Sequence, residues 1–307
     1  MTAPHAATAP LEPARIAEAR ARDVHAAAQP LRDFLRRLLR NRASAVGVLP
    51  LLAVALAALL GRWWFPGDPW DMAGQPMLWP GTDAEHPLGT DFMGRDLATG
   101  MVSGARVSLL IGVVSTLIAT GVGITVGAIG GYYPGWIDTV LMRITEVFQT
   151  VPKFVLSVVL VAIFKPSVAT VVISIGIVSW PPTARLVRSE FLSLREREFV
   201  LAGRTIGMSD LRLIVTQILP NALPPVIVVA MLTIATAIQT EAALAFLGLG
   251  DPNVMSWGTI IGGGREQVVD AWYICGLPGL AIVVTVLGFN LLGEGLNDAL
   301  NPHLRAR

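Results

Sequence analysis

The chain has 307 residues, of which 53% are hydrophobic and 15% are charged, and its mean hydropathy is +0.61. A water-soluble domain needs more charge to cover its surface, and a disordered chain lacks this much apolar sequence. The net charge of +1 gives no support for a nucleic-acid partner, and a single cysteine, Cys275, excludes an internal disulfide. The composition predicts an integral membrane protein embedded in the lipid bilayer.

The first 42 residues precede any apolar run. Residues 1–30 are rich in Ala, Pro and Arg and lack the apolar core of a signal peptide, which predicts a mostly disordered cytoplasmic tail. Residues 31–42 read LRDFLRRLLRNR, with leucine and phenylalanine at helical spacing and arginine between them. This pattern predicts an amphipathic helix on the membrane surface, with a partner-docking helix as the alternative.

Six apolar runs follow that are long enough to cross a bilayer. They predict an all-α fold with spans at 43–61, 107–131, 137–164, 168–184, 222–247 and 273–292. In the second run Gly123, Gly127 and Gly131 repeat at every fourth residue, a spacing that lets helices approach closely. In the third run Pro152 predicts a bend just before Lys153.

The distribution of arginine predicts the orientation in the membrane. Five arginines lie at 31–42, just before the first span, six lie at 185–221 and two lie at 305–307. The segment 63–105 carries one arginine, Arg95, against six acidic residues. We therefore expect both termini, including a tail at 297–307, and the 185–221 loop to be cytoplasmic. The segments 63–105 and 248–272 are expected to face outward.

Motifs for catalysis and for nucleotide binding are absent from the sequence. The two lysines, Lys153 and Lys165, do not follow glycine, which excludes a phosphate-binding loop of the G-x-x-x-x-G-K-[ST] type. The four histidines are scattered and form no metal-binding pattern. The sequence therefore predicts a protein that is not an enzyme and binds no cofactor or metal. Its energy would come from a partner protein or from an ion gradient.

The 185–221 loop has enough periodic apolar residues for one or two short amphipathic helices. Gly207 is expected to separate them, Ser209 and Asp210 to begin the second helix, and Pro220 to end it. One interpretation is a rigid helical knob that binds a soluble partner. The alternative is a plain surface loop whose arginines only obey the positive-inside rule.

Four segments of the chain resemble the membrane subunits of bacterial ATP-binding-cassette importers, in particular the dipeptide and oligopeptide permeases. The first segment reads ARLVRSEFLSLREREFVLA at 184–202, followed by GMSD at 207–210 and ILPNALPP at 218–225. The other three lie at 86–96, 241–258 and 290–305. Leu201 and Gly203 depart from the general E-A-A pattern of this loop, of which Ala202, Gly207, Leu219 and Pro220 remain.

The resemblance implies a type I importer transmembrane domain at 106–296, preceded by a first helix and periplasmic segment at 43–105. The chain would be a non-catalytic permease of the inner membrane that moves di- or oligopeptides, or similar small solutes, by alternating access. Its implied partners are a homologous second permease, two cytoplasmic subunits that bind ATP and Mg²⁺, and a periplasmic or lipid-anchored binding protein. The residues implied to couple to the ATPase are Leu201, Ala202, Gly203, Arg204, Gly207, Asp210, Leu219 and Pro220.

Four charged residues in or near the spans are candidates for a pathway or gate: Asp96, Glu146, Lys153 and Glu241. Asp96 lies in the outer segment, where a docking or gating element is expected. Glu146 is the natural partner of Arg143, Lys153 either snorkels or meets anionic solutes, and Glu241 either pairs with Arg95 or Arg265 or lies at the interface. Glutathione, nickel chelates and opines remain alternative cargoes. An ion-coupled transporter or a membrane assembly protein remains an alternative function.

Overall fold

The computed structural model describes Leu38 and residues 42–300. Within these residues the regular structure is helical, and an isolated bridge between Thr90 and Asp96 is the sole β-type pairing. The tail expected at 1–30, nearly all of the surface helix expected at 31–42, and residues 301–307 lie outside the described residues.

The helices are numbered α1 to α10 along the described chain. Their bounds are α1 Arg42–Trp64, α2 Leu97–Tyr132, α3 Trp136–Thr150, α4 Lys153–Phe164, α5 Val168–Ser179, α6 Pro181–Leu194, α7 Glu198–Thr205, α8 Asp210–Phe246, α9 Trp257–Gly264 and α10 Tyr273–Leu300. A π-helical turn, Ile214–Ile218, lies within α8, and a short 3₁₀ turn follows α9.

Four of these helices, α1, α2, α8 and α10, are long and apolar enough to cross a membrane one by one. Two further pairs pass the same criteria only together, because α3 and α4 meet at 85° and α5 and α6 at 41°. Counting each bent pair as one crossing gives the six spans expected from the sequence.

The third span is not the single helix expected over 137–164. It breaks at Val151 and Pro152, where Val151 adopts an extended conformation, with φ −89° and ψ 130°. Proline disfavours the helical conformation at the residue before it, and here Val151 is extended, so α3 ends there and α4 starts in a new direction. The predicted bend at Pro152 is confirmed, and at 85° it is a sharp corner.

The fifth span begins twelve residues before the expected position, because Pro220 does not end a helix. The π-helical turn Ile214–Ile218 widens the backbone just ahead of Pro220, which then lies in the first turn of the α-helical stretch Leu219–Phe246. Proline is tolerated at such a position, since the missing N–H has no partner to lose there. Residues 210–221, which were expected to be the last part of the 185–221 loop, therefore form the start of α8.

Other helix ends also differ from the hydropathy pattern. The fourth apolar run continues as helix α6 to Leu194, and α2 begins at Leu97, ten residues before the expected start of the second span. Helix α10 continues to Leu300, so residues 297–300 of the expected tail are helical.

The glycine repeat of α2 packs directly against α6. A Cβ added to Gly123 would lie 2.6 Å from Thr183 Cβ, and one on Gly131 would lie 2.5 Å from Phe191 Cβ. The two faces match residue for residue at a spacing of four, in the pairs Gly123 with Thr183, Gly127 with Val187 and Gly131 with Phe191. The close packing predicted for these glycines is confirmed.

The bundle has two ends that differ in structure. At the α7 end, the C-terminus of α2 meets α7 and the start of α8 around a cluster that includes Phe191, Val200 and Leu213. At the α9 end, the segment 65–96 covers the start of α2 and contacts α9 and α10. Helix α1 packs along α10, where the backbones approach closely at Gly47 and Gly288.

Alanine substitutions at two glycines of α2 separate packing from helix propensity. We expect Gly123→Ala to destabilise the protein by about 1–3 kcal/mol, because its methyl group would overlap Thr183 on α6. Gly121→Ala is the matched control, since a Cβ there meets no atom within 4 Å and alanine favours the helix. Thermal unfolding in detergent measures both, and equal unfolding temperatures would contradict the packing argument.

Candidate functional site

Helix α7 is bound tightly to the start of α8. Val200 and Leu213 are both fully buried. Gly203 faces the same contact, and a Cβ on it would lie 2.6 Å from Leu213 Cδ2. A residue larger than glycine does not fit without moving this leucine, which explains why glycine replaces the last alanine of the E-A-A pattern here. Val200 therefore belongs to the core of this chain and not to an exposed contact surface.

The other side of α7, the turn after it and the start of α8 expose apolar residues. Ile206 is 79% exposed and Leu211 is 72% exposed. Leu201 and Phe199 are exposed by 44% and 41%. Because water is a poor environment for these side chains, a cluster of this kind marks a protein contact surface. We call Phe199, Leu201, Ile206 and Leu211 the apolar knob.

Gly207 ends α7 through a Schellman motif. Its N–H donates to the Arg204 carbonyl at 3.0 Å, and the Met208 N–H donates to the Gly203 carbonyl at 3.0 Å. This pattern places Gly207 in the left-handed region, at φ 80°, which glycine adopts without strain. The turn predicted at Gly207 is confirmed. A Cβ there would meet no atom within 4 Å. A larger residue at position 207 would therefore destabilise the turn through its backbone conformation and not through a clash within the chain.

Asp210, the first residue of α8, connects α2 to the start of α8. Tyr132 at the end of α2 donates its hydroxyl to Asp210 Oδ1 at 2.6 Å, and Tyr133 donates to Oδ2 at 3.4 Å. The Arg204 guanidinium lies over the Tyr132 ring, 5.4 Å from its centroid. Asp210 is in the set implied to couple to the ATPase, and the structure shows it bonded within the chain.

The remaining residues of the implied coupling set are placed on different surfaces. Ala202 is exposed on α7, next to Leu201 of the apolar knob. Leu219 is half-buried and Pro220 is exposed, both in the first turn after the π-helical turn of α8. The structure therefore groups residues 201–210 around α7 and leaves Leu219 and Pro220 further along α8.

Helix α3 is attached to α6 near both of its ends. Arg188 donates two hydrogen bonds to Asp138, from Nε at 2.5 Å and from Nη2 at 2.6 Å. Arg185 Nη1 donates to Gln149 Oε1 at 3.1 Å. Sequence analysis missed Asp138, because its partner lies fifty residues away and no local pattern joins them.

Glu146 and Lys153 lie on either side of the corner between α3 and α4. Glu146 forms the expected ion pair with Arg143, at 2.8 Å, and both side chains are exposed. Lys153 is exposed at the start of α4, and no carboxylate of the described residues lies within ion-pair distance of it. A role for either residue in the pathway stays a prediction.

Asp96 caps α2 at the α9 end. Its Oδ2 accepts hydrogen bonds from the Thr99 N–H at 2.8 Å and from the Thr99 hydroxyl at 2.6 Å. Its Oδ1 lies 3.2 Å from Nδ1 of the buried His86. Asp96 thus holds the outer segment on the helix terminus, a structural task that the predicted docking or gating role does not require.

Glu241 is buried inside the bundle and forms no ion pair with the arginines expected as its partners. Ser108 of α2 donates its hydroxyl to Glu241 Oε2 at 3.2 Å. Arg95 instead lies beside Asp91, at 3.9 Å, and Arg265 Nη1 donates to the Phe246 carbonyl at 3.3 Å. Glu241 shares the inward face of α8 with Ile238 and Leu244, which turns it away from both arginines.

Comparisons with known proteins agree with this architecture. Residues 123–306 match the family described as "Binding-protein-dependent transport system inner membrane component". The chain is 39% identical to the di/tripeptide transport system permease protein DppC of Pseudomonas aeruginosa, over 90% of this chain and 93% of that protein. It is 38% identical to the glutathione transport system permease protein GsiD of Pectobacterium atrosepticum, over 90% and 92%.

A solved structure supports the fold independently. The chain resembles a subunit of the MetNI methionine ABC transporter, crystallised in an inward-facing conformation, with a TM-score of 0.54. The match covers 66% of this chain and 96% of that subunit at 19% identity, so it shows the fold alone. The family match over more than half of the sequence and the similar permeases favour the importer over the ion-coupled transporter and the assembly protein considered above. The chain belongs to the inner membrane components of binding-protein-dependent transport systems, and it is a multi-pass permease subunit of an ATP-binding-cassette importer.

Proposed function

We propose that this permease imports peptides or closely related small solutes such as glutathione. The proposal is supported by relatives named as di/tripeptide and glutathione permeases, which match about nine-tenths of the chain at similar identity. Uptake of labelled dipeptides and of labelled glutathione by the assembled transporter in proteoliposomes tests it. Uptake of neither solute in the presence of ATP and the binding protein would refute it.

The division of labour follows from the chemistry that the sequence lacks. The chain has no phosphate-binding loop, so two partner subunits would bind and hydrolyse ATP with Mg²⁺, and this chain would hold no cofactor. A second, homologous permease would complete the pathway, and a periplasmic or lipid-anchored binding protein would deliver the solute. In this scheme the permease is a two-state element whose equilibrium ATP shifts through its partners.

The coupling proposal rests on the exposure of the apolar knob, which is formed by α7, the turn after it and the start of α8. Helix α7 is rigidly joined to α8 through Val200, Gly203 and Leu213, while Ile206 and Leu211 point away from the core. A stiff helix transmits a push that a flexible loop would absorb. We therefore place α7 in a groove of an ATPase subunit, with Arg204 at the rim.

The four charged candidates take different places in this scheme. Glu241 is enclosed between α2 and α8, so it would respond to a change in their separation and not to the solute directly. Lys153 and Glu146 flank the α3–α4 corner and are exposed, so they are the better candidates for contact with an anionic solute or with the second permease. Asp96 would act through the stability of the outer segment.

The orientation proposed from the arginine distribution places the α7 end in the cytoplasm and the α9 end outside. This choice agrees with the coupling scheme, because ATP-hydrolysing partners would meet α7 only on the cytoplasmic side. Both termini would then be cytoplasmic.

Replacement of one knob residue tests the docking of the ATPase. We expect Ile206→Asp to weaken co-purification of the ATPase subunits by about tenfold or more, because a carboxylate would enter an apolar contact. The fold should persist, since Ile206 is 79% exposed and contributes little to the core. Val269→Asp is the control, at a residue 89% exposed at the other end of the bundle. An unchanged ATPase yield with Ile206→Asp would show that the knob is not the docking surface.

Removal of one hydroxyl tests the connection between α2 and α8. Tyr132→Phe removes the 2.6 Å hydrogen bond to Asp210, and a bond to a charged group contributes about 1.5–3 kcal/mol. We expect normal assembly but several-fold more ATP hydrolysed per solute transported. Tyr133→Phe removes only the 3.4 Å bond and should leave this ratio almost unchanged. Equal ratios in the two variants would exclude a coupling role for the Tyr132 hydroxyl.

Cysteine labelling tests the orientation. In a Cys275→Ser background, Val269→Cys should react with a membrane-impermeant maleimide in intact spheroplasts. In spheroplasts that lack the ATPase subunits, which would otherwise cover this position, Ile206→Cys should react only after the membrane is opened, although both positions are highly exposed in the chain alone. Labelling of Ile206→Cys in intact spheroplasts would reverse the proposed topology.

A further inference from the structure

A cavity of about 450 Å³ lies at the α9 end, between the last turn of α1, the loop that follows it and the first part of α2. Its lining includes two arginines, Arg62 and Arg106, together with Thr99, Ser103 and Asn253. None of these residues belongs to the coupling surface or to the pathway candidates described above.

A close helix contact brings the two arginines together. A Cβ added to Gly61 of α1 would overlap both methyl groups of Val102 on α2, so the Val102 side chain packs directly on the backbone of α1 there. Arg62 follows Gly61 directly, and Arg106 lies one helical turn beyond Val102. The two cationic side chains therefore border one space although they come from different helices.

The positive charge of this cavity is not neutralised within the described part of the chain. No carboxylate there lies within 4.0 Å of Arg62 or of Arg106. Asp68 also lines the cavity, but its Oδ1 accepts a hydrogen bond from the Trp70 N–H at 2.9 Å. The lining carries two cations and one anion, so it attracts an anionic group, and paired guanidinium forks suit phosphate oxygens.

The cavity lies at the boundary of the bilayer. Arg62 is in the last turn of α1, and the adjacent Trp63 and Trp64 are 80% and 70% exposed, as in the aromatic belt of membrane proteins. Helix α2 has 36 residues, about 54 Å, against a hydrocarbon core of about 30 Å. Arg106, its tenth residue, therefore lies at the level of the headgroups when Arg62 does.

An apolar groove continues from this cavity along α1. It has a volume of about 290 Å³, and its lining includes Ala53, Ala57 and Ala105. The groove shares Phe65 and Val102 with the cationic cavity. Ala53 lies nine residues before Arg62, about 13 Å deeper in the membrane by helical rise. A cationic space at the headgroup level above an apolar groove matches the shape and polarity of one phospholipid.

We propose that Arg62 and Arg106 bind the phosphodiester of an anionic phospholipid, whose acyl chain lies in the groove along α1. A lipid fits better than a transported solute, because α1 exposes Leu52, Leu56 and Leu59 along its length and bounds both spaces. The site also explains arginine at an outward-facing boundary, where the positive-inside rule disfavours it. The bound lipid would join α1 to α2 at the point where Gly61 meets Val102.

Native mass spectrometry of the assembled transporter tests the proposal. We expect the wild type to retain phosphatidylglycerol more strongly than phosphatidylcholine. Arg62→Gln combined with Arg106→Gln should weaken retention of phosphatidylglycerol by at least about tenfold. Arg62→Lys combined with Arg106→Lys should keep part of the retention, since the charge remains without the planar fork. Arg143→Gln is the control, an exposed arginine with a carboxylate partner, and should bind as the wild type does.

A second arm separates a lipid from a soluble anion. Ala57→Trp should fill the apolar groove and lower lipid retention while leaving any binding of glycerol 3-phosphate or inorganic phosphate unchanged. Equal retention of phosphatidylglycerol by the wild type and by Arg62→Gln alone or with Arg106→Gln would overturn the site. Glycerol 3-phosphate could also displace the bound lipid at the same concentration that phosphatidylglycerol requires. In that case the cavity would be a site for soluble anions, and the proposal would be overturned.

Discussion

The contact between the glycine face of α2 and helix α6 determines how the rest of this permease is arranged. Three glycines at a spacing of four receive Thr183, Val187 and Phe191, so two backbones run side by side for two full turns. In a bilayer, where burial of apolar surface between helices gains little, such close van der Waals packing is the main source of helix association. Helix α6 leads within three residues into α7, so this contact also sets the position of α7 relative to α2.

Three further contacts then leave α7 little freedom. Val200 and Gly203 join it to Leu213, the Schellman motif at Gly207 sets the direction of the chain after it, and Tyr132 bonds to Asp210. A displacement of α7 must therefore move α2 and α8 as well, because packed interiors shift as units and do not deform continuously. Those two helices also enclose Glu241 near the opposite end, so the same pair of helices connects the two ends of the bundle.

Much of this architecture follows from the sequence, and the exceptions have physical causes. Hydropathy identifies apolar runs but not their direction, so the corner at Pro152 appeared as a single span. A π-helical turn has no signal in the amino-acid composition. Because this turn could not be foreseen, Pro220 was expected to end a helix, whereas it lies within α8. The partner of Glu241 was predicted wrongly, because it depends on how a long helix is rotated about its own axis. An error of one residue in the start of that helix changes the expected direction of a side chain by about 100°. The glycine repeat and Gly207 succeeded because backbone geometry demands glycine at those positions.

The region that precedes the family match obeys a different constraint. Residues before 123 include α1, the outer segment and the start of α2. Helix α2 is longer than the bilayer is thick, and the last turn of α1 carries Arg62. A charge at this level must be capped, paired or exposed to headgroups. Asp96 is satisfied by the terminus of α2 and by His86, and Arg95 lies against Trp70 and Asp91. Arg62 and Arg106 have no carboxylate partner in the described chain, and at the level of the headgroups an anionic lipid can supply the missing negative charge.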